Sequence, residues 1–390
     1  MSGLYAALLL LGLPVPAPHV PLEQVHGPLM VLGFVGTLVA LERAVALGTR
    51  WALLAPACSG AGAVLLVLTG PSLPGRLLLV LASVLLLLIY QRLWWRQPGP
   101  ALLAQVTGAL SWYAATLLWL AGLSVPEIVP WLATFVVATI AGERLELAHL
   151  TLPRHGVGWF LAALGMLTAG ATATALWPAV GAYLFGVGLL ATVAWLVVCD
   201  VARRTVRAVG LPRYVAVGLL TGYAWLALAG LLSAGAGPVT GGSRYDAALH
   251  LVFLGFTMSM IFAHAPVILP AVLRRPLPYG PWLYAPLALL HTTLTIRVLV
   301  GDVLGVPAGW RWGGVGNVLA VLGFVGGVVA ALVRAARRRT GRRSSRRSCR
   351  RCGDGRHPRR LRPDRVLGPG PGRPSRQSRR PVPPPRPSAR

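Results

Sequence analysis

Lysine is absent: all 37 basic residues of this 390-residue chain are arginine, and only ten acidic residues oppose them. Such a bias reads as the base composition of a GC-rich genome, and no mechanism follows from it. Charged residues amount to 12% against 55% apolar, and mean hydropathy is +0.66, which excludes a water-soluble domain of this length. Cysteine is scarce too, with Cys58 and Cys199 in or beside apolar runs and Cys349 and Cys352 in arginine-rich text, so no disulfide framework is implied. Cys349-Arg-Arg-Cys352 with His357 supplies half the donors of a zinc site and has no second pair. No phosphate-cradling Gly-rich loop and no nucleophile, base and orienting acid are present, which removes nucleotide-hydrolase and acyl-transfer readings.

The net charge of +27 looks like a nucleic-acid signal until its distribution is drawn. Residues 334–390 hold 21 arginines against Asp354 and Asp364, leaving 16 arginines and eight acidic residues, about +8, for the body. No specific nucleic-acid partner is expected; the lipid bilayer is. Apolar runs near the length that crosses about 30 Å of hydrocarbon lie at 27–47, 51–70, 77–95, 101–123, 129–150, 157–177, 179–199, 213–234, 247–273, 281–301 and 313–333. A weaker run at 3–17, without a basic leader or small-residue cleavage site, reads as a short first span. The expected fold is therefore all-α, a polytopic membrane helix bundle of about twelve spans over 1–334, followed by an Arg/Pro-rich disordered tail over 335–390.

Arginines sort by connection. Arg43 and Arg50, Arg92 and Arg96, Arg144 and Arg154, Arg203 through Arg213, and Arg274 with Arg275 occupy alternate loops, while the others carry chiefly Arg76, Arg244 and Arg311. The positive-inside rule then places both termini of a twelve-span protein in the cytoplasm of a bacterial inner membrane. The basic tail would meet the anionic lipids of the inner leaflet.

Three stretches overlay: TLVALERAVAL around Glu42, TIAGERLELAHL around Glu143 and MIFAHAPVILPAVL around His264. They close the second, sixth and tenth spans, a period of four helices that a pseudo-threefold arrangement of four-helix arcs would leave. Each copy puts an ionisable residue toward the cytoplasmic end, so Glu42, Glu143 and His264 are candidates for a proton path. The alternative is that Glu42-Arg43 and Glu143-Arg144 are interfacial ion pairs that set helix depth.

Of eight histidines, His26, His149, His250, His264 and His291 fall at membrane depth or at a span's end. His26 opens the second span and His250 the tenth, at a common outer depth; His264 lies about 21 Å deeper than His250 on the same helix. Two neutral imidazoles from different helices in an apolar bundle suit axial ligation of a haem iron. Each could instead hydrogen-bond a carbonyl across helices. Small glycines follow both, in GPLMVLGF after His26 and LVFLGF after His250, and could admit a flat macrocycle. Arg297 either neutralises a propionate or pairs with Asp302. His291 is a further ligand, a proton carrier or a core residue.

Twelve spans, a candidate threefold repeat and outer histidines on spans two and ten resemble the catalytic subunit of haem-copper oxidases. The texts HGPLMVLGFVGTLVALERAVALG from His26 and YDAALHLVFLGFTMSMIFAHAPVILPAVL from Tyr245 are similar to the NnrS family of membrane haem and copper proteins. The architectural likeness covers residues 1–334. It implies haem b held by His26 and His250, copper as an additional metal, a small gaseous ligand, and a role in redox or nitric-oxide-stress metabolism. The chain departs from the oxidase pattern where Leu249, Leu251 and Val252 surround His250 in place of a second histidine, and where no copper set stands on spans six and seven. An oxygen-reducing binuclear centre is not expected. Two other classes stand beside this reading: a transporter without a redox cofactor, using Glu42, Glu143, Glu146 and His264 next to the kinking Pro266 and Pro270, and a membrane scaffold acting through its tail.

Overall fold

A computed structural model of the chain describes residues 1–16, 19–148, 152–273 and 279–353. It divides into a unit Met1–Arg338 and a second unit Arg339–Arg390. Within the first, a short helix α1 (Ser2–Leu10) precedes eleven helices long and apolar enough to cross a membrane. They are α2 (Leu22–Leu47), α3 (Arg50–Thr69), α4 (Leu73–Arg96), α5 (Pro100–Leu120), α6 (Val125–Ala148), α7 (Gly156–Ala173), α8 (Pro178–Cys199), α9 (Leu211–Ala236), α10 (Gly242–Pro270), α11 (Pro281–Val303) and α12 (Pro307–Ala335). The helix begun by Pro307 is traced to Gly353, so the boundary between the units falls four residues beyond the hydropathy boundary at 334.

Local chemistry sets the ends. Proline stands in the first turn of α4, α5, α8 and α9, where its missing N–H costs no hydrogen bond. Gly48 closes α2 at φ 74° and Gly70 follows α3 at φ 70°, left-handed conformations that other residues adopt at a cost. Connections of two to four residues, as at 48–49, 70–72 and 97–99, make sequential helices antiparallel neighbours. The α7–α8 seam is closest: a Cβ on Gly170 would stand 2.3 Å from the backbone N of Phe185, so only glycine lets these backbones meet. Trp112, Trp195, Tyr90 and Tyr223 fill the interior, whereas Val64, Leu68, Leu81 and Leu231 are exposed, as a lipid-facing surface requires.

The first expected span is corrected. Run 3–17 forms a nine-residue helix because Gly12 turns at φ 66° and Pro14 and Pro16 offer no N–H to continue it. Nine residues reach roughly 14 Å, half a bilayer core. The count is eleven spans and one short helix, and the chain starts and α12 ends at opposite ends of the bundle. The Tyr5 hydroxyl donates to the Pro16 carbonyl and folds the following turn back on α1, and Arg311 on α12 donates to the Leu11 carbonyl at 3.2 Å, which keeps that turn against the start of α12.

Candidate functional site

Between α1, α2, α6, α10 and α12 lies a cavity of about 650 Å3, a volume usual for small-molecule sites. Its wall is mostly apolar, with Phe34, Val129, Phe253 and Val321 among the lining residues, and α1 roofs it through Leu4, Ala7 and Leu10. Both His26 and His250 open onto it.

Each imidazole is fixed in the same way. His26 Nδ1 lies 2.8 Å from the Gly3 carbonyl of α1, and His250 Nδ1 lies 2.7 Å from the Asp246 carbonyl one turn earlier in α10. A carbonyl only accepts, so both Nδ1 atoms carry the proton and both Nε2 atoms keep their lone pairs. Among the described residues Nε2 of neither ring has a hydrogen-bond partner. The carbonyl bond that could have been the whole purpose of each histidine is therefore made, by one nitrogen, and the other is left over.

The helices that carry these rings are wound unusually. Within three residues of each histidine the chain turns π-helical, over Leu29–Gly36 in α2 and Leu251–Met258 in α10, and a third such segment, Ile296–Val303, holds Arg297 in α11. The lining residues explain what the winding does. They recur every four positions, as His26, Met30 and Phe34 in α2 and as His250, Leu254 and Met258 in α10. In an α-helix two steps of four overshoot the starting face by about 80°. The i→i+5 bonding of the π form puts more residues in each turn and so offsets that overshoot where α and π winding follow one another. Gly27 lines the cavity, but the other two glycines do not cradle a ligand: a Cβ on Gly33 would meet Ala63 at 2.8 Å and one on Gly255 would meet Trp225 at 2.6 Å, so they seat α2 on α3 and α10 on α9.

Arg297 is buried on the cavity wall, and its partner is Asp246, not Asp302. Its Nε and Nη2 donate to the two Asp246 oxygens at 2.8 and 2.7 Å, a bidentate pair between α11 and α10. The Asp246 carboxylate also lies 3.4 Å from His250 Nδ1, so one residue orients the histidine and neutralises the arginine. Gly313 and Gly314 of α12 make room, since a Cβ on Gly314 would stand 2.8 Å from Arg297 Nη1.

His291 is elsewhere. Trp225 Nε1 donates to its Nδ1 at 2.9 Å and its Nε2 lies 3.0 Å from Thr221 Oγ1, whose own proton goes to the Val217 carbonyl. Both nitrogens are used, and the ring is a satisfied neutral core residue with no lone pair for a metal. His149, Arg274 and Arg275 lie outside the described residues.

The candidate proton-path residues sit at the other end of the bundle, roughly 20 Å from the histidines along α2. Arg43 contacts Glu42 at 2.7 Å and Glu143 at 3.2 Å and donates to Gln105 at 3.2 Å. Arg144 reaches Asp200 at 3.5 Å and His264 Nε2 at 3.2 Å, and Tyr223 donates to Asp200 at 2.6 Å. His264 Nδ1 bonds the Met260 carbonyl. The carboxylates are paired with arginine, as an ion-pair anchor requires. Among the described residues no group of three or more His, Cys, Asp or Glu side chains is placed to hold a metal ion.

Three members of the site escaped the sequence reading. Asp246 could have been found as an acid four residues before His250, α1 as an apolar run stopped by two prolines, and Arg76 as one of the few arginines on the arginine-poor side.

The chain belongs to a family described as "Domain of unknown function (DUF8744)", whose model matches residues 1–333 and so takes in α1 and all eleven spans. No curated protein and no solved structure matches it.

Proposed function

We propose that this is an integral membrane haem protein in which His26 and His250 are the two axial ligands of a b-type haem in the cavity under α1. The observation that carries this reading is the pair of open Nε2 atoms on one apolar cavity, each set by an Nδ1–H bond to a backbone carbonyl, the second contact that metal-bound histidines ordinarily make. When bound, such an iron supplies one-electron redox chemistry, and two strong nitrogen ligands favour electron transfer over gas binding. The chain's own part is to hold both rings in one tautomer, to exclude water with α1 and the apolar wall, and to keep the Arg297 charge neutral beside the site. The likeness to NnrS text would set this in redox or nitric-oxide-stress metabolism.

The orientation follows the arginines. Connections at the Arg43 and Arg144 end carry most of them and those at the cavity end only Arg76, Arg244 and Arg311, which would put the cavity on the outer side of the inner membrane and the end of α12 in the cytoplasm. With eleven spans the first residues are on the outer side. The arginines past Ala335 then meet anionic lipid. The transporter reading is weaker, because its carboxylates are held by Arg43 and its histidine by Arg144.

The test is the purified full chain from haem-replete cells. A reduced-minus-oxidised spectrum of a low-spin b-type haem is expected, lost in His26→Ala and in His250→Ala while both variants still insert and fold. A colourless wild type with no bound iron, or full spectra in both variants, overturns it.

A further inference from the structure

Two guanidiniums line the cavity, and only one is answered. Arg297 has the Asp246 carboxylate. Arg76 has none among the described residues: its Nη1 donates to the Trp119 carbonyl at 3.0 Å, its plane lies over the Trp119 ring at 4.6 Å, and its Nε is buried without a hydrogen-bond partner. Glu23 also lines the cavity, but it is exposed and makes no ion pair with Arg76.

Local structure gives Arg76 no reason to be there. It stands in the first turn of α4, the positive end of the helix dipole, where a cation is disfavoured. It is half-buried at the end of the span, with its side chain turned to the cavity wall. Trp119 holds one edge and one face of the guanidinium and leaves Nε and Nη2 free. That edge is the fork that binds a carboxylate through two parallel bonds. Gln24 adds a further polar group to a wall that is mostly apolar, with Val31, Val129 and Leu132 among its members.

We infer that Arg76 is an anion subsite of the cavity and takes a carboxylate of the occupant whose metal His26 and His250 hold. The inference rests on the haem reading and sharpens it: the occupant is a flat amphipathic acid, with its acidic edge at Arg76 rather than at Arg297.

The full chain, produced under haem limitation and purified, is titrated with iron protoporphyrin IX and separately with its dimethyl ester, which keeps the macrocycle and iron but carries no carboxylate. The Soret band of the bis-imidazole complex reports binding. The wild type is expected to bind the diacid about tenfold or more tightly than the diester, the scale of one charge-assisted contact. Arg76→Gln should weaken the diacid by the same factor and leave the diester unchanged, and Arg76→Lys should restore part of the loss. Unchanged diester binding also shows that the variant's pocket is intact. Equal weakening of both ligands, or of neither, overturns the subsite while leaving the histidine ligation standing. A wild type that gives no band with either compound overturns the haem reading and this inference with it.

Discussion

Asp246→Asn tests the most heavily loaded polar contact in the outer half of the bundle. Arg297 is only 6% exposed, and its two hydrogen bonds, at 2.8 and 2.7 Å, both end on Asp246. Removing one partner of a buried pair leaves an uncompensated charge and costs about 3–5 kcal/mol. The Asp246 side chain is 20% exposed, so some solvent reaches the pair and the low end, about 3 kcal/mol, is expected. That is well above the ~0.6 kcal/mol of an average interhelical hydrogen bond in a membrane, so the two origins are distinguishable. Reversible unfolding of the full chain in mixed micelles is the assay, with Asp302→Asn as control. Asp302 contacts Asp246 but makes no ion pair with Arg297 among the described residues, so its loss should cost less than about 1 kcal/mol, as for an ordinary polar contact. Because the Asp246 backbone carbonyl, and not its carboxylate, makes the 2.7 Å bond to His250 Nδ1, the histidine should stay oriented in Asp246→Asn and any haem band should persist. A cost below about 1 kcal/mol for Asp246→Asn, or an equal cost for Asp302→Asn, refutes the assignment.

Two further changes probe the frame around the site. Gly255→Ala puts a Cβ 2.6 Å from the Trp225 Cβ and Cγ, forcing apart α10 and α9 in the middle of the π segment. A loss of about 1–3 kcal/mol by thermal unfolding is expected, and a neutral result would mean that Gly255 is not a packing contact. Arg144→Met at the opposite end leaves Asp200 buried with only Tyr223 and the Ala202 N–H as partners. It should cost about 3 kcal/mol by the same measurement, and Tyr223→Phe only about 1 kcal/mol; reversal of that order would show that the hydroxyl, not the arginine, carries the charge.

Hydropathy located eleven helices to within a few residues because a span's length and polarity are fixed by the bilayer, whatever packs beside it. It failed at residues 3–17, where apolar composition was right but Pro14 and Pro16 cap the attainable helix. That His26 and His250 line one cavity was legible because both lie near the starts of helices, α2 and α10, that begin at the same end of the antiparallel bundle. Arg297 was misassigned for the opposite reason. Asp302 is five residues away in sequence, whereas Asp246 is 51 away on another helix, and only the three-dimensional arrangement chooses between them. The π segments were illegible: nothing in LVFLGFTM or IRVLVGDV differs from ordinary α-helical text, and only the Leu29–Gly36 segment has a nearby proline, Pro28, to disturb its bonding. His291 looked like a ligand candidate only until Trp225 and Thr221, each some 66 to 70 residues away, were seen to occupy both its nitrogens.

The period of four helices read from the Glu42, Glu143 and His264 stretches acquires a physical sense from where those helices meet. α2, α6 and α10 all line the cavity, through residues such as Val31, Val129 and Leu254. At the other end they are stapled in order: Arg43 of α2 to Glu143 of α6, then Arg144 of α6 to His264 of α10. Each staple uses the residue pair of one copy to reach the ionisable residue of the next, as inner helices of successive four-helix arcs would. No staple from α10 back to α2 occurs among the described residues. The three helices differ at the cavity end. α2 and α10 each keep a histidine followed by a π-helical row, while α6 has neither and presents Val125, Pro126 and Val129 instead. Three inward histidines would build a compact metal site, whereas two histidines and an apolar third wall leave room for a flat ligand held from two sides. The haem reading proposed above needs only the two histidines, and the apolar face of α6 completes the wall between them.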